Sequence, residues 1–268
     1  MKRREFLTSS VAAAGLGTLL AGANVEAQEP GATVAREFYE LKLYHLRRGP
    51  KTELFDRFYK EASIPALNRA GIERVGVFNL TVGPETPTMY VLLIHKSPES
   101  VMALTDKLAA DEEYHKAGAE FINAPAGDPA YIRVESSLMA AFTGMPKLEV
   151  PALGDGNKSR LFELRTYESH SKKANRKKIE MFEKGEIAIF RRNGVQPVFF
   201  GETLIGSRLP NLTYMVVFEN QAAHDKNWAA FGSDPEWKKL SHTPGYTDGE
   251  IVCNISNVFL RPAAYSQI

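Results

Sequence analysis

Apolar and polar positions along the chain fall into two periods that take turns. Phe38–His45 (FYELKLYH) and Leu161–Glu168 (LFELRTYE) are apolar and aromatic with alternation, the pattern of a strand. Each is followed by an apolar stripe at three- and four-residue multiples: Leu54, Phe55, Phe58 and Tyr59 in one stretch, Ile179, Phe182, Ile189 and Phe190 in the other. That spacing predicts helices. Gly71 and Gly194 sit just past them, where a left-handed residue ends a helix. Val75 to Val82 with Met89 to His95, and Pro197 to Ile205 with Thr213 to Glu219, read as strand pairs joined by Gly/Pro turns. A second helix follows, with Ser97-Pro98 suited to an N-cap and first position. Tyr131 to Ser136 and Ile251 to Leu260 read as closing strands. The order βαββαβ occurs twice, which is the ferredoxin-like plan.

The two halves are also written alike. Tyr39 falls on Phe162, Glu40 on Glu163, Leu41 on Leu164, Lys42 on Arg165 and Tyr44 on Tyr167, a shift of 123 positions. The same shift lays IPALNRAGI (from Ile64) on IAIFRRNGV (from Ile187), and DEEYHK (from Asp111) on DPEWKK (from Asp234); MYVLLI (from Met89) meets TYMVVF (from Thr213) with one residue inserted. Four blocks in one order indicate a tandem duplication, with units at 36–143 and 160–265 and a Gly/Pro-rich linker at 144–159. A βαββαβ unit covers one sheet face with helices and leaves the other bare. The expected fold class is therefore α+β: two ferredoxin-like domains packed sheet to sheet as one pseudo-dimeric α/β barrel.

The doubled ELRTYE-type opening, the EIAIFRRNG helix end and the DPEWKKL segment resemble the NIPSNAP family, more clearly in the second copy than in the first, where DEEYHKA stands. The resemblance implies the dimeric α/β-barrel, ferredoxin-like group. That group holds cofactor-free monooxygenases, haem-degrading enzymes and chlorite dismutase-like haem proteins. NIPSNAP proteins have no established enzymatic activity, so the resemblance speaks for fold more than for function.

Composition adds little and excludes some classes. A formal charge of +1 and a pI near 7.8 argue against a nucleic-acid partner. The N-terminus stands apart. Arg3 and Arg4, then Phe6 and Leu7, precede a weakly apolar run from Val11 to Ala23, shorter than the roughly 20 residues a membrane span needs. With small-residue cleavage patterns near Ala23 and Ala27, residues 1–27 resemble a twin-arginine export signal. The expectations are passage through the Tat translocase, a periplasmic or otherwise extracytoplasmic location and no integral membrane domain. The single cysteine, Cys253, permits no intrachain disulfide; Ile251, Cys253 and Ile255 read as one buried strand face.

The repeated strand carries the candidate site. Glu163, Arg165 and Tyr167 share one face, as do Glu40, Lys42 and Tyr44. With the apolar pair facing the helices, this polar row is expected to line the barrel. It reads either as a paired network holding the halves in register or as a ligand-pocket lining, since a buried carboxylate needs partners. The histidines, His45, His95, His115, His170, His224 and His242, show no paired metal-ligand spacing, and no cofactor is expected; haem would need one proximal histidine, for which His115 and His224 are nominated. Trp228 and Phe231 should pack a helix onto its sheet, and His170–Lys178 reads as a solvated basic face. The leading expectation is an exported protein that binds a small, partly apolar ligand or a protein, without established catalysis. The alternatives are a cofactor-free or haem-linked monooxygenase working in the barrel cavity, and a purely structural subunit whose surface edges build larger assemblies.

Overall fold

The structure, a computed structural model, describes residues 35–153 and 160–268. The export signal expected at 1–27 and the end of the linker lie outside those residues. Each half has the expected order. The first comprises β1 (Phe38–His45), α1 (Lys51–Phe58), α2 (Ile64–Arg69), β2 (Val75–Val82), β3 (Thr88–His95), α3 (Pro98–Ala109), α4 (Glu112–Ala117), α5 (Ala119–Ile122) and β4 (Arg133–Ala141). The second comprises β5 (Leu161–Glu168), α6 (Lys172–Met181), α7 (Ile187–Arg192), β6 (Gln196–Ile205), β7 (Asn211–Phe218), α8 (Gln221–Ser233), α9 (Pro235–Ser241), α10 (Asp248–Ile251) and β8 (Asn254–Pro262). No helix among the described residues is long and apolar enough to cross a membrane.

The duplication reaches backbone detail. A π-helical turn joins α1 to α2 at Tyr59–Ser63 and α6 to α7 at Phe182–Glu186, 123 positions apart. Gly71 and Gly194 both end their helices with positive φ. The β2–β3 and β6–β7 turns hold Glu85 and Arg208 at φ 57° and 60°, a left-handed conformation that is uncommon outside glycine.

The strands form a closed barrel in the order β1-β3-β2-β8-β5-β7-β6-β4, antiparallel throughout. Within each half the order is that of a ferredoxin-like sheet. Two seams, β2 with β8 and β4 with β6, join the halves. The helices lie outside, so the strands are covered on both faces. Each strand sends at least one buried apolar side chain inward: Tyr39, Phe78, Leu92, Met139, Phe162, Phe199, Met215 and Leu260 form one cluster. Two further clusters lie between helices and sheet, around Phe55, Phe58 and Val91 in the first half and Phe182, Phe190 and Tyr214 in the second.

The linker packs against this framework. Met145 is buried, Glu149 N–H donates to Val198 O, and Leu148 and Leu153 meet the barrel cluster. At the equivalent place the chain end runs along β2, where Ala263 N–H donates to Val77 O, Gln267 N–H donates to Val75 O and Ile268 is buried in the same cluster. One end of the barrel is thereby stoppered by apolar side chains.

The expected orientation of the repeated strand is inverted. Tyr39, Leu41, Phe162 and Leu164 point into the barrel. Glu40, Lys42, Tyr44, Glu163, Arg165 and Tyr167 take the opposite, helix-covered face. The physical reason is space and partners. An eight-stranded barrel has an interior that side chains just fill, and its stoppered end leaves no water for a charge. The outer face can supply paired donors from helices and neighbouring strands. Cys253 is a second correction. It is exposed, precedes β8 and donates its thiol to Glu168 O at 3.3 Å, while Ile251 belongs to α10 and Ile255 is largely exposed.

Candidate ligand pocket

The end of the barrel opposite the stopper is open and polar. There the C-terminal ends of β1 and β5, the N-terminal ends of β4 and β8, and the two strand turns surround a cavity of about 590 Å³. Its floor is apolar, built from Leu41, Leu43, Met139, Leu164 and Val258. Above the floor come hydroxyls and an amide: Ser137, Thr166, Thr203, Asn211, Thr213 and Ser256. Many of these groups bond one another. Thr166 and Thr213 hydroxyls are 2.9 Å apart, Thr203 donates to Asn211 Oδ1 at 2.6 Å, and the Asn211 amide donates to Ser207 O and Arg208 O. Asn211 thus ties the β6–β7 turn to the pocket wall.

The rim is charged. His45 lies between two carboxylates, with Nδ1 2.9 Å from Glu85 Oε2 and Nε2 3.0 Å from Glu135 Oε1. Arg133 pairs with both Glu85 and Glu135, and its bonds hold the Glu135 carboxyl below the usual range. Across the rim Arg208 donates to the Ser256 hydroxyl at 3.2 Å. Tyr90 stands in the wall, and burial pushes its phenol up to about 12. A neutral phenol at ordinary pH is a hydrogen-bond donor.

The six residues expected to line a pocket form two networks outside the barrel wall. In the first half Glu40 accepts from Ser136 Oγ at 2.9 Å, pairs with Lys42 at 3.1 Å and lies 3.5 Å from His95 Nε2. Burial works against this carboxylate, yet His95 and Lys42 outweigh it and hold the group below its usual range. Tyr44 packs among Phe55, Tyr59, Phe121 and Tyr131. In the second half Glu163 is 1 % exposed and fully engaged. Arg165 Nη1 and Asn257 Nδ2 donate to Oε1 at 2.8 and 3.0 Å, Trp228 Nε1 donates to Oε2 at 2.8 Å, and His224 Nε2 lies 3.3 Å from Oε2. The Arg165 guanidinium lies over Trp228 and Tyr167, and the Tyr167 hydroxyl meets Tyr214 at 3.0 Å. None of these six borders the cavity, although their neighbours Ser136 and Asn257 do.

Of the nominated histidines, His224 is committed to Glu163 and to Asp225 at 2.7 Å, and His115, on α4, contacts Ala109 O at the end of α3 at 3.0 Å. Neither borders the cavity. Among the described residues no cluster of His, Cys, Asp or Glu is placed to hold a metal ion. Trp228 and Phe231 pack α8 against Phe190, as the helical spacing predicts.

Sequence reasoning missed two features. His45, Glu85, Arg133 and Glu135 come from three separate segments, and no local motif announces their meeting. The second is a buried ion pair, Lys178 with Glu186 at 3.2 Å, the two side chains 1 % and 2 % exposed. Lys178 stands in the basic run read as solvated; burial raises the Glu186 carboxyl. The repeat itself held the clue: Lys178 falls on Phe55 and Glu186 on Ser63, both positions buried in the first half.

Comparison with known proteins bears on the fold. Residues 162–267 match the NIPSNAP family model. A NIPSNAP-like domain protein from Burkholderia xenovorans is 22% identical over 40% of this chain and 89% of its own, with a TM-score of 0.37. Two candidate monooxygenases span most of both chains. The one from Lactobacillus acidophilus is 11% identical over 87% of this chain and 98% of its own, TM-score 0.53. The one from Fusobacterium nucleatum is 9% identical over 85% and 93%, TM-score 0.54. At that identity the likeness shows the barrel fold alone. No curated protein matches the chain.

Proposed function

We propose that this chain, whose residues 162–267 are a NIPSNAP domain, is an exported protein that holds a small, partly apolar ligand in the mouth of its barrel. The carrying observation is the cavity: about 590 Å³, with an apolar floor and hydroxyl and amide walls. That volume and lining suit a small-molecule site. The stoppered far end supports it by making the mouth a blind pocket. Export rests on Arg3, Arg4, Phe6, Leu7 and the short apolar run that follows. The monooxygenase alternative gains less from the cavity. Its lining imidazole and carboxylates, His45, Glu85 and Glu135, are tied to one another and to Arg133 at the rim.

The test is native mass spectrometry of protein recovered from the periplasm of a bacterial host that exports it by its own signal. The expected result is an added small-molecule mass that disappears in Ser137→Trp, whose indole would fill the mouth beside Met139. Protein that stays in the cytoplasm would remove the export part. An added mass that survives Ser137→Trp would move the ligand elsewhere.

A further inference from the structure

We infer that the mouth cavity recognises a monocarboxylate, an anionic head on an apolar body, and that Arg208 and Tyr90 bind the head. The inference rests on the pocket reading above and gives its occupant a chemical class.

The duplication makes the two sides of the rim comparable position by position. Glu85 falls on Arg208, and His45 on Glu168. By strand register, Arg133 sits opposite His45 as Asn254 sits opposite Glu168, and Glu135 opposite Leu43 as Ser256 opposite Thr166. On the first side every charged group has a partner: Glu85 and Glu135 share Arg133 and the His45 ring. On the second side the carboxylate that would answer Arg208 has become a serine. Arg208 donates to that hydroxyl and forms no ion pair among the described residues. Glu168 is occupied with Asn254 at 2.7 Å and does not border the cavity.

The backbone supports a purpose for that side chain. Arg208 holds a left-handed φ of 60°, and such conformations in non-glycine residues concentrate where a side chain must be placed. Asn211 fixes the turn by donating to the Arg208 carbonyl at 3.0 Å. Tyr90 is the second group. It is 5 % exposed and borders the cavity, and its hydroxyl makes no hydrogen bond among the described residues. The charges of Glu135, Arg208 and Glu85 all reach it, but both carboxylates are already engaged by Arg133 and by the His45 ring. A carboxylate entering between Arg208 and Tyr90 would gain a charge-assisted bond from one and a phenolic bond from the other. Its apolar body would lie on Leu41, Met139 and Leu164.

Isothermal titration of the full chain with octanoate, octan-1-ol and octylamine tests this. Octanoate is expected to bind at least about tenfold more tightly than the other two, since one charge-assisted bond is worth roughly that ratio or more. Arg208→Gln should cut octanoate affinity about tenfold and leave octan-1-ol unchanged; Arg208→Lys should restore part of the loss, and Tyr90→Phe should weaken octanoate several-fold. Ser137→Trp should block all three. Octylamine or octan-1-ol binding as tightly as octanoate, or an Arg208→Gln variant with the wild-type order, overturns the carboxylate assignment while leaving a ligand pocket in place. Absence of binding by all three, in wild type as in Ser137→Trp, overturns both.

Discussion

Glu40 and Glu163 occupy equivalent positions and have drawn different partners. Glu40 is served by its own sheet, through Lys42, His95 and Ser136. Glu163 recruits α8 as well, through Trp228 and His224, and so pins a helix to the barrel wall. Glu163→Ala would leave the half-buried Arg165 without its counter-charge and the Trp228 and Asn257 donors without their acceptor, at a cost of about 3 kcal/mol. Urea denaturation should report it as a lowered midpoint with an unchanged slope; a loss under about 1 kcal/mol would mean that water already reaches the pair. That these residues were unusual was legible from composition alone, because charges repeat inside an otherwise apolar strand. Their direction was not. Alternation separates the two faces of a strand without naming which is which, and here both faces are covered. Lys178 shows the same limit: a lysine in a basic run looks solvated until its aromatic surroundings are known.

At the scale of elements, two of the four repeated sequence blocks turn out to touch. Arg69, at the end of α2, grips Asp111, the N-cap of α4, through Nε and Nη2 at 2.9 Å each. Arg192, at the end of α7, grips Asp234, the N-cap of α9, at 2.8 and 2.5 Å. Each aspartate also caps its helix, Asp111 for Tyr114 N–H and Asp234 for Glu236 and Trp237 N–H. The Tyr114 bond on Asp111 and the Arg192 bonds on Asp234 hold both carboxyls below the usual range. A carboxyl depressed in the folded state contributes stability above its unfolded pKa and loses it as pH falls through the folded value. The melting temperature should therefore decline below about pH 4, and Asp111→Asn with Asp234→Asn should flatten that decline while lowering the plateau at neutral pH. An unaltered acid limb in the double variant would assign it to other carboxylates. The boundaries of β2 match, Gly71 and Gly194 end their helices and Ser97 precedes α3, whereas the closing strands lie further along than Tyr131 to Ser136 and Ile251 to Leu260: β4 runs on to Ala141 and β8 starts only at Asn254. The π-helical turns were invisible, because a single extra residue per turn shifts an apolar stripe too little to break its period.

For the whole molecule, closure decides both stability and assembly. The seams β2–β8 and β4–β6 use up the sheet edges, so further copies cannot add by strand pairing, since a closed barrel has no free edge. A half alone would expose Phe162, Leu164, Met215, Val217 and Leu260, the side chains now sealed inside. Residues 160–268 expressed separately should therefore form a dimer that rebuilds the barrel from two identical halves, measurable by sedimentation; a stable monomer would show that one sheet can keep its inner face wet. The duplication made this architecture legible before any coordinates, since a βαββαβ unit with a bare sheet face needs a mate. The pocket was not legible, because it is made by the ends of strands distant in sequence.

Covalent fusion of the halves has one more outcome at the rim. Two separate identical chains must present the same groups on both sides of their shared axis, and a guest could then enter either way round. Here one flank is a saturated cluster of acids and bases and the other carries a lone cation. The opening has acquired a sense of direction, and whatever docks there is told which way to face.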